Sequence, residues 1–307
     1  WCKYSNDKLF IYKAITHMKK ILFYGNCQLT KLHHVFYKLY AEKNLEPHLL
    51  KQVQYIESSD YFKKPWIHEQ ITTADILVMQ LHSGVELNPF VQIVPFLKKE
   101  SHVIVVDSLY CTQFHPDLIL SHKIPSFREG PFHDFNVIKS VVDDISLSSF
   151  LENDPFYDAN FYSDEVIERG CKTTIDELTS RLNLRHDLIE DNQKLRQDLK
   201  ISSISLVDFL KNKNNIKTTL WGDLSHPFNP VYKYITSNIC KKIDVEFDET
   251  EFDKNFDKLN NELTLTRPVY SSVIRYFNFD VNSECRTYRI DEDYTKVSRT
   301  QYVRDVY

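Results

Sequence analysis

The sequence predicts an α/β fold with a central, mostly parallel sheet and helices on both faces. Three short apolar runs, at residues 21–24, 74–80 and 103–107, have the length and composition of strands buried on both sides. Segments with the helical spacing of apolar residues lie between and after them. Strands that alternate with helices are typical of parallel sheets, in which ligands bind beyond the carboxyl ends of the strands.

The first predicted strand leads directly into a turn and a helix. Gly25 and Asn26 are the residue types that best tolerate unusual backbone angles, so they predict the turn. The apolar residues that follow, from Leu29 to Tyr40, have helical spacing. Further helices are expected near residues 89–99, 135–150, 163–182, 186–200, 205–213 and 229–242, and a fourth strand at residues 216–221.

The chain divides into three predicted parts. Residues 1–17 precede Met18 and are interpreted as an N-terminal extension or a segment added for expression, without the apolar core of a secretory signal. Residues 18–243 form the predicted catalytic domain, and residues 244–307 a C-terminal extension of unknown role. Within the domain, residues 108–133 are too long for a simple connection and predict a functional loop region.

Composition excludes several classes of protein. The chain has 307 residues, of which 42% are hydrophobic and 26% charged, as in folded globular proteins. A net charge of -5 without a basic stripe argues against nucleic-acid binding, and no apolar run approaches the roughly 20 residues of a membrane span. The six cysteines lack the spacing of a disulfide framework or a zinc site, and the histidines lack ligand spacing. A reducing, cytoplasmic environment and no metal are therefore expected.

Cys27 is the candidate nucleophile. It lies at the predicted strand-to-helix turn, beside the free amides and the positive end of a helix. Such a position favours a reactive thiolate and can hold a developing oxyanion. The alternative is that Cys27 is a small buried hydrophobe, as many free cysteines are. The position at the turn favours the functional interpretation.

Two further polar clusters follow predicted strands, so we expect them at the same edge of the sheet as Cys27. The first runs from Gln80 to Gly84 and the second contains Asp223 and His226. A spacing of three residues lets the Asp223 carboxylate orient the His226 imidazole, which would then act as the base for Cys27. Alternatively, Asp223 caps the helix that follows Pro227.

Four short motifs, taken in order, resemble a known family. Gly25-Asn26-Cys27-Gln28 resembles the opening motif of the WcbI-type polysaccharide biosynthesis acetyltransferases. Phe114-His115-Pro116-Asp117 and Gly130-Pro131-Phe132-His133 are similar to central motifs of that family, and His226-Pro227 to its late histidine-proline element. A nucleophile after the first strand and Asp-x-x-His-Pro before the last helix also resemble SGNH/GDSL hydrolases, with cysteine in place of serine. The resemblance covers residues 19–242.

This resemblance implies an SGNH-like fold, coenzyme A binding and acetyl transfer from acetyl-CoA to a sugar hydroxyl of a surface or capsular polysaccharide. Cys27 would be the reactive residue and His226 its base. The Gly-x-Asn element of the wider SGNH pattern is missing, so the oxyanion donors are sought among other residues. The predicted oxyanion and substrate-binding set is Gly25, Asn26, Gln28, Gln80, His82, Ser83 and Gly84, and the predicted coenzyme A contacts are His115, Arg128 and His133.

The sequence leaves three alternatives open. Either Cys27 carries the acetyl group, or His226 activates the sugar hydroxyl for direct attack on the thioester. The same residues would also serve a carbohydrate esterase or thioesterase. A non-catalytic carbohydrate-binding protein could also keep the fold. Separately, the alternative for His115 and His133 is that they satisfy buried carbonyls in an irregular loop.

Overall fold

The computed structural model describes residues 18–41, 43, 45–81, 87–107, 109, 111, 113–115, 118–120, 132–212, 215, 216, 220, 227–256, 269–279, 288, 289 and 296–306. The strands among them are β1 (Lys19–Tyr24), β2 (Leu45–Leu49), β3 (Ile76–Gln80), β4 (His102–Val106), β5 (Leu118–Leu120), β6 (Phe132–Asp134), β7 (Lys200–Ile204), β8 (Tyr288–Arg289) and β9 (Lys296–Val297). Five of these strands form an all-parallel central sheet in the order β2-β1-β3-β4-β7, and β5-β6 and β8-β9 form two antiparallel pairs.

Helices occupy most of the remaining described chain. They are α1 (Cys27–Tyr40), α2 (Pro65–Thr73), α3 (Pro89–Gln92), α4 (Phe135–Val142), α5 (Leu147–Glu152), α6 (Asp164–Leu195), α7 (Val207–Lys211), α8 (Asn229–Ile243), α9 (Glu249–Phe256), α10 (Ser271–Phe277) and α11 (Arg299–Val306). Short 3₁₀ turns lie at Val53–Tyr55, Ser59–Lys63, Val94–Phe96 and Pro155–Tyr157. Within these described ranges, no helix is both long enough and apolar enough to cross a membrane.

The sheet is covered on both faces, which confirms the predicted α/β architecture. Along β1, Ile21 and Phe23 belong to one apolar cluster, which includes side chains of α1 and α8. Leu22 and Tyr24 belong to a second cluster, which includes side chains of α2 and α3. Because successive side chains of a strand point to opposite faces, these two clusters are the two halves of the core.

Three of the four predicted strands are confirmed as β1, β3 and β4, whereas the other two strands of the central sheet, β2 and β7, were not predicted. Both unpredicted strands lie at the edges of the sheet. The sequence of β2 contains Pro47, which an edge strand tolerates, and that of β7 contains Ser202 and Ser203. Edge strands are only partly buried and therefore lack the continuous apolar run that identifies a central strand. Of the predicted strand at residues 216–221, only residues 216 and 220 are described, and neither is in a strand.

Helix boundaries differ from the predictions in three places. The helices predicted at residues 163–182 and 186–200 are one 32-residue helix, α6, which ends before β7 begins. The helix predicted at residues 135–150 is divided into α4 and α5 at a turn where Asp144 has a φ of 57°. The segment 89–99 contains only α3 and a 3₁₀ turn. The last helix of the predicted domain, α8, lies within one residue of its predicted end.

The described residues of α9 and α10 pack on the same core as the sheet, whereas Tyr302 and Val303 of α11 belong to a separate apolar cluster with Val137 and Phe150. Phe252, Phe256 and Val273 belong to the cluster that includes α1 and α8. At the start of α11, the buried Arg299 donates to both carboxylate oxygens of Asp154, at 2.9 and 3.0 Å, and pairs with Asp134. The division of the chain into domains stays a prediction.

Candidate functional site

Cys27 is the first residue of α1, at the carboxyl edge of the parallel sheet. The Oδ1 atom of Asn26 accepts a hydrogen bond from the Gln28 amide at 2.9 Å and so caps the helix. Glycine is required at position 25 because two side chains approach its Cα closely. An added Cβ would lie 2.7 Å from Leu29 Cγ and 2.8 Å from Gln80 Oε1. The Cys27 side chain is exposed, unlike those of Cys111 and Cys240.

A pair of buried glutamines fixes this turn to the neighbouring strands. Gln80, the last residue of β3, donates from Nε2 to Gln28 Oε1 at 2.8 Å and to the Asp107 carbonyl at 3.1 Å. Its Oε1 accepts from the Asn26 amide at 3.4 Å, and Gln28 Oε1 also accepts from the Leu109 amide at 3.1 Å. Both side chains are 1% exposed, so their amides bond within the protein and hold three chain segments together.

A buried ion pair lies next to the glutamine pair at the carboxyl edge of the sheet. The Asp107 carboxylate follows β4, pairs with Arg185 of α6 and accepts from the Leu206 amide at 2.8 Å. Burial raises the pKa of Asp107, and the Arg185 guanidinium opposes that shift. Both side chains are buried, so this pair connects the middle of α6 to the carboxyl ends of β4 and β7. The ion pair also adjoins the glutamine pair, because the Asp107 carbonyl accepts from Gln80 Nε2.

Lys31 and Tyr232 lie beside Cys27 and were not predicted from the sequence. Lys31 is one helical turn after Cys27, and its Nζ atom lies 4.8 Å from the centroid of the Tyr232 ring. Burial lowers the pKa of Lys31 to about 8. Burial raises the pKa of the Tyr232 hydroxyl well above its ordinary value, and the neighbouring Cys27 thiol raises it further. Perturbed titratable groups next to an exposed thiol are typical of functional sites.

The spacing of Cys27 and Lys31 is a signal that the sequence contained. Residues four positions apart lie on one face of a helix, so a cation at residue 31 is close to any nucleophile at residue 27. Tyr232 had no such signal, because its proximity depends on how α8 packs against α1.

One structural comparison identifies the fold. A solved structure of WcbI, described as a novel polysaccharide biosynthesis enzyme, superposes with a TM-score of 0.71 over 94% of this chain and 89% of that chain. The chain has the fold of WcbI. The sequence identity is 17%, and the WcbI structure is described as the native protein without a disulfide bond between coenzyme A and one of its cysteines. No protein-family model matches the sequence, and no match was found among curated proteins.

Several predicted site residues lie outside the described part of the chain. Asp223 and His226 are among them, as are Arg128 and the three residues His82, Ser83 and Gly84. The described residues on either side of residues 221–226 lie together, since the Phe228 amide donates to the Leu220 carbonyl at 2.8 Å. Tyr232 lies six residues after His226, so the chain beyond the predicted base returns to the neighbourhood of Cys27.

The predicted coenzyme A contacts are only partly described. His115 is 1% exposed, lies nine residues after the end of β4, and accepts a hydrogen bond from the Leu118 amide through its carbonyl at 3.2 Å. His133 lies in β6, paired with Ile119 of β5, and its side chain is outside the described atoms. In the described part of the chain, no group of three or more His, Cys, Asp or Glu side chains is arranged to hold a metal ion.

Proposed function

We propose that this protein is an acyltransferase that moves an acetyl group from acetyl-CoA to a sugar hydroxyl in surface or capsular polysaccharide biosynthesis. The observation that carries the proposal is the exposed Cys27 thiol at the start of α1, at the edge where parallel sheets bind ligands. WcbI has the same fold, is a polysaccharide biosynthesis enzyme, and is described with reference to a disulfide between coenzyme A and a cysteine. That description supports the proposal that Cys27 lies near the thiol end of bound coenzyme A.

In the proposed reaction, the Cys27 thiolate attacks the thioester carbonyl carbon of acetyl-CoA. The carbon-sulfur bond to coenzyme A then breaks, and the departing thiolate takes the proton that His226 accepted from Cys27. His226 next removes the proton of the sugar hydroxyl, whose oxygen attacks the acetyl-cysteine and releases the Cys27 thiolate. Asp223 orients the His226 imidazole in both steps.

The oxyanion formed in each step needs hydrogen-bond donors. Within the described residues, the backbone amide of Cys27 has no hydrogen-bond partner, and it points out of the first turn of α1 beside the thiol. We propose it as one donor and Gly84 as the second, with His82 and Ser83 lining the same edge.

The buried residues of the site have a positioning role in this proposal. Gln28 and Gln80 bond to each other and to the backbone, so they hold Cys27 in place and leave substrate contacts to exposed groups. Gly25 and Asn26 shape the turn, which sets the direction of the thiol. His115, Arg128 and His133 are proposed to contact coenzyme A. A cytoplasmic location fits acetyl-CoA use and the four described free cysteines.

Thiol alkylation tests the proposal. Iodoacetamide should modify Cys27 faster than it modifies N-acetylcysteine, a fully exposed model thiol, and coenzyme A should slow the modification. The model thiol is the necessary reference, because Cys111 and Cys240 are buried and would react slowly in any case. Calorimetry with millimolar coenzyme A should show binding by the wild-type protein. Absence of binding, together with model-thiol reactivity at Cys27, would favour a non-catalytic carbohydrate-binding protein.

A further inference from the structure

A cavity of about 570 Å³ lies at the opposite end of the sheet from Cys27. It is lined by the residues at the amino ends of β1, β3, β4 and β7 and by the end of α8. β1 alone separates Lys19 from Tyr24 by roughly 17 Å, so this cavity is remote from the candidate acyl-transfer site. Its volume is in the range of small-molecule binding sites.

Five of the twelve residues that line the cavity are lysines. Its lysines, which we call the amino-end lysines, are Lys19, Lys98, Lys99, Lys200 and Lys242. Three carboxylates also line it, from Asp75, Glu100 and Asp244, and Asp75 is already paired with Lys98 at 2.5 Å. Five lysines against three carboxylates leave a local excess of two positive charges, although the chain as a whole has a net charge of -5.

Lys200 and Lys242 repel each other, and neither is paired with a carboxylate among the described residues. The pKa of His102 is lowered to about 4, mainly by burial and also by the charges of Lys200 and Lys242. The pKa of Lys242 is lowered by burial and by Lys200 and Lys241. Over the described ranges, neither Lys200 nor Lys242 has a carboxylate within ion-pair distance. Clustered like charges destabilise a folded protein unless an anion lies between them.

The backbone that carries these groups is firmly held. The Lys200 amide donates to the Ser101 carbonyl at 3.1 Å, and the His102 amide donates to the Asp75 carbonyl at 2.9 Å. The His102 ring is fixed by a 3.0 Å hydrogen bond between Nε2 and Ser202 Oγ. Lys19 and Lys200 are the first residues of β1 and β7, so the backbone that carries them is positioned before any ligand arrives, which lowers the entropic cost of binding.

We propose that the amino-end lysines form a second binding site, for a phosphate-bearing ligand. A multiply charged phosphate group matches several lysine ammonium groups at once and relieves the repulsion between Lys200 and Lys242. The cavity exceeds the size of a single phosphate ion, so the ligand is a phosphorylated small molecule or the headgroup of an anionic phospholipid. The site is independent of Cys27 and of the proposed acyl transfer.

The test compares two double variants that each remove two positive charges. The first, Lys200→Ala with Lys242→Ala, acts at the cavity. The control, Lys63→Ala with Lys194→Ala, removes two lysines whose side chains are 74% and 71% exposed elsewhere on the surface. Inorganic pyrophosphate binding is measured by calorimetry, and vesicle binding by co-sedimentation with phosphatidylglycerol in phosphatidylcholine. Thermal unfolding without ligand verifies that each variant is folded.

The cavity variant should bind pyrophosphate at least about tenfold more weakly than the wild type, while the control and Cys27→Ala bind it normally. Unfolding without ligand should show the cavity variant as stable as the wild type or more so, because the repulsion is gone. If the wild type binds vesicles but not pyrophosphate, and the cavity variant loses the vesicle binding, the ligand is a lipid headgroup. The proposal is overturned if the wild type binds neither probe, or if the two double variants lose binding equally. Coenzyme A binding should be unaffected by the cavity variant, which separates this site from the proposed function.

Discussion

The buried glutamine pair predicts a large cost for a nearly isosteric substitution, Gln80→Glu. Gln80 Nε2 donates to Gln28 Oε1 and to the Asp107 carbonyl, and a glutamate places a second acceptor against both oxygens. Each buried acceptor that loses its donor costs about 1–3 kcal/mol, and Gln28 Oε1 keeps the Leu109 amide. We therefore expect the free energy of unfolding at pH 7 to fall by about 3 kcal/mol, a large fraction of the stability of a typical domain.

The pH dependence of this loss has a definite sign. Burial raises the pKa of the introduced carboxyl above its value in the unfolded chain, so the folded variant binds more protons between these two values. Relative to the wild type, the variant should therefore become more stable as the pH falls from 7 towards 5. A protonated carboxyl can again donate to one of the two oxygens.

Urea unfolding of the wild type, Gln80→Glu and the matched control Gln54→Glu measures the effect. Gln54 is exposed and bonds only to the Gln52 side chain among described residues, so its substitution should change the stability by less than about 0.5 kcal/mol. A Gln80→Glu variant as stable as Gln54→Glu at pH 7 would refute the network as the element that fixes the Cys27 turn.

Three further predictions follow from named contacts. Lys31→Met should stabilise the protein at pH 7 by about 2 kcal/mol, measured by urea unfolding. The difference should shrink as the pH rises from 8, because the unfolded wild type then still holds the proton that folded Lys31 has lost. A pH-independent difference would contradict this prediction. Arg299→Met leaves the buried carboxylates of Asp134 and Asp154 unpaired and should lower the free energy of unfolding by about 3–5 kcal/mol. The control Arg181→Met, at an exposed ion pair, should lower it by less than about 1 kcal/mol. Equal losses would show that the buried pairing is unimportant. Cys27→Ser should lose most transfer activity, and His226→Ala should cost a further large factor only when Cys27 is intact; a mild Cys27→Ser with a severe His226→Ala would support direct transfer to the acceptor.

Central elements of the fold were predictable because their sequences contain one dominant signal. β1, β3 and β4 are buried on both faces, so an uninterrupted apolar run identifies each of them. β2 and β7 lie at the edges, where burial is partial and Pro47, Ser202 and Ser203 are tolerated. α6 was predicted as two shorter helices. Its apolar residues pack in different surroundings along its 32 residues, and Arg185, in the middle of the helix, pairs with Asp107.

The candidate site was predictable where chain order determines position. A thiol directly after a central strand and before a helix must lie at the carboxyl edge of a parallel sheet, and Cys27 does. Tyr232 could not be predicted, because it approaches Cys27 only through the packing of α8 on α1. The inward orientation of Gln28 likewise depends on Gln80 and Leu109, which lie far away in sequence.

The most direct test of the proposed function is to look for the acetyl group on Cys27. The protein is incubated with acetyl-CoA in the absence of an acceptor, quenched in acid, digested and examined by mass spectrometry. The proposal predicts an acetyl group on the peptide that contains Cys27, coenzyme A released in equal amount, and neither product from Cys27→Ala. The contradicting result is an unmodified Cys27 in a protein that binds acetyl-CoA, together with wild-type turnover by Cys27→Ala when a sugar acceptor is supplied.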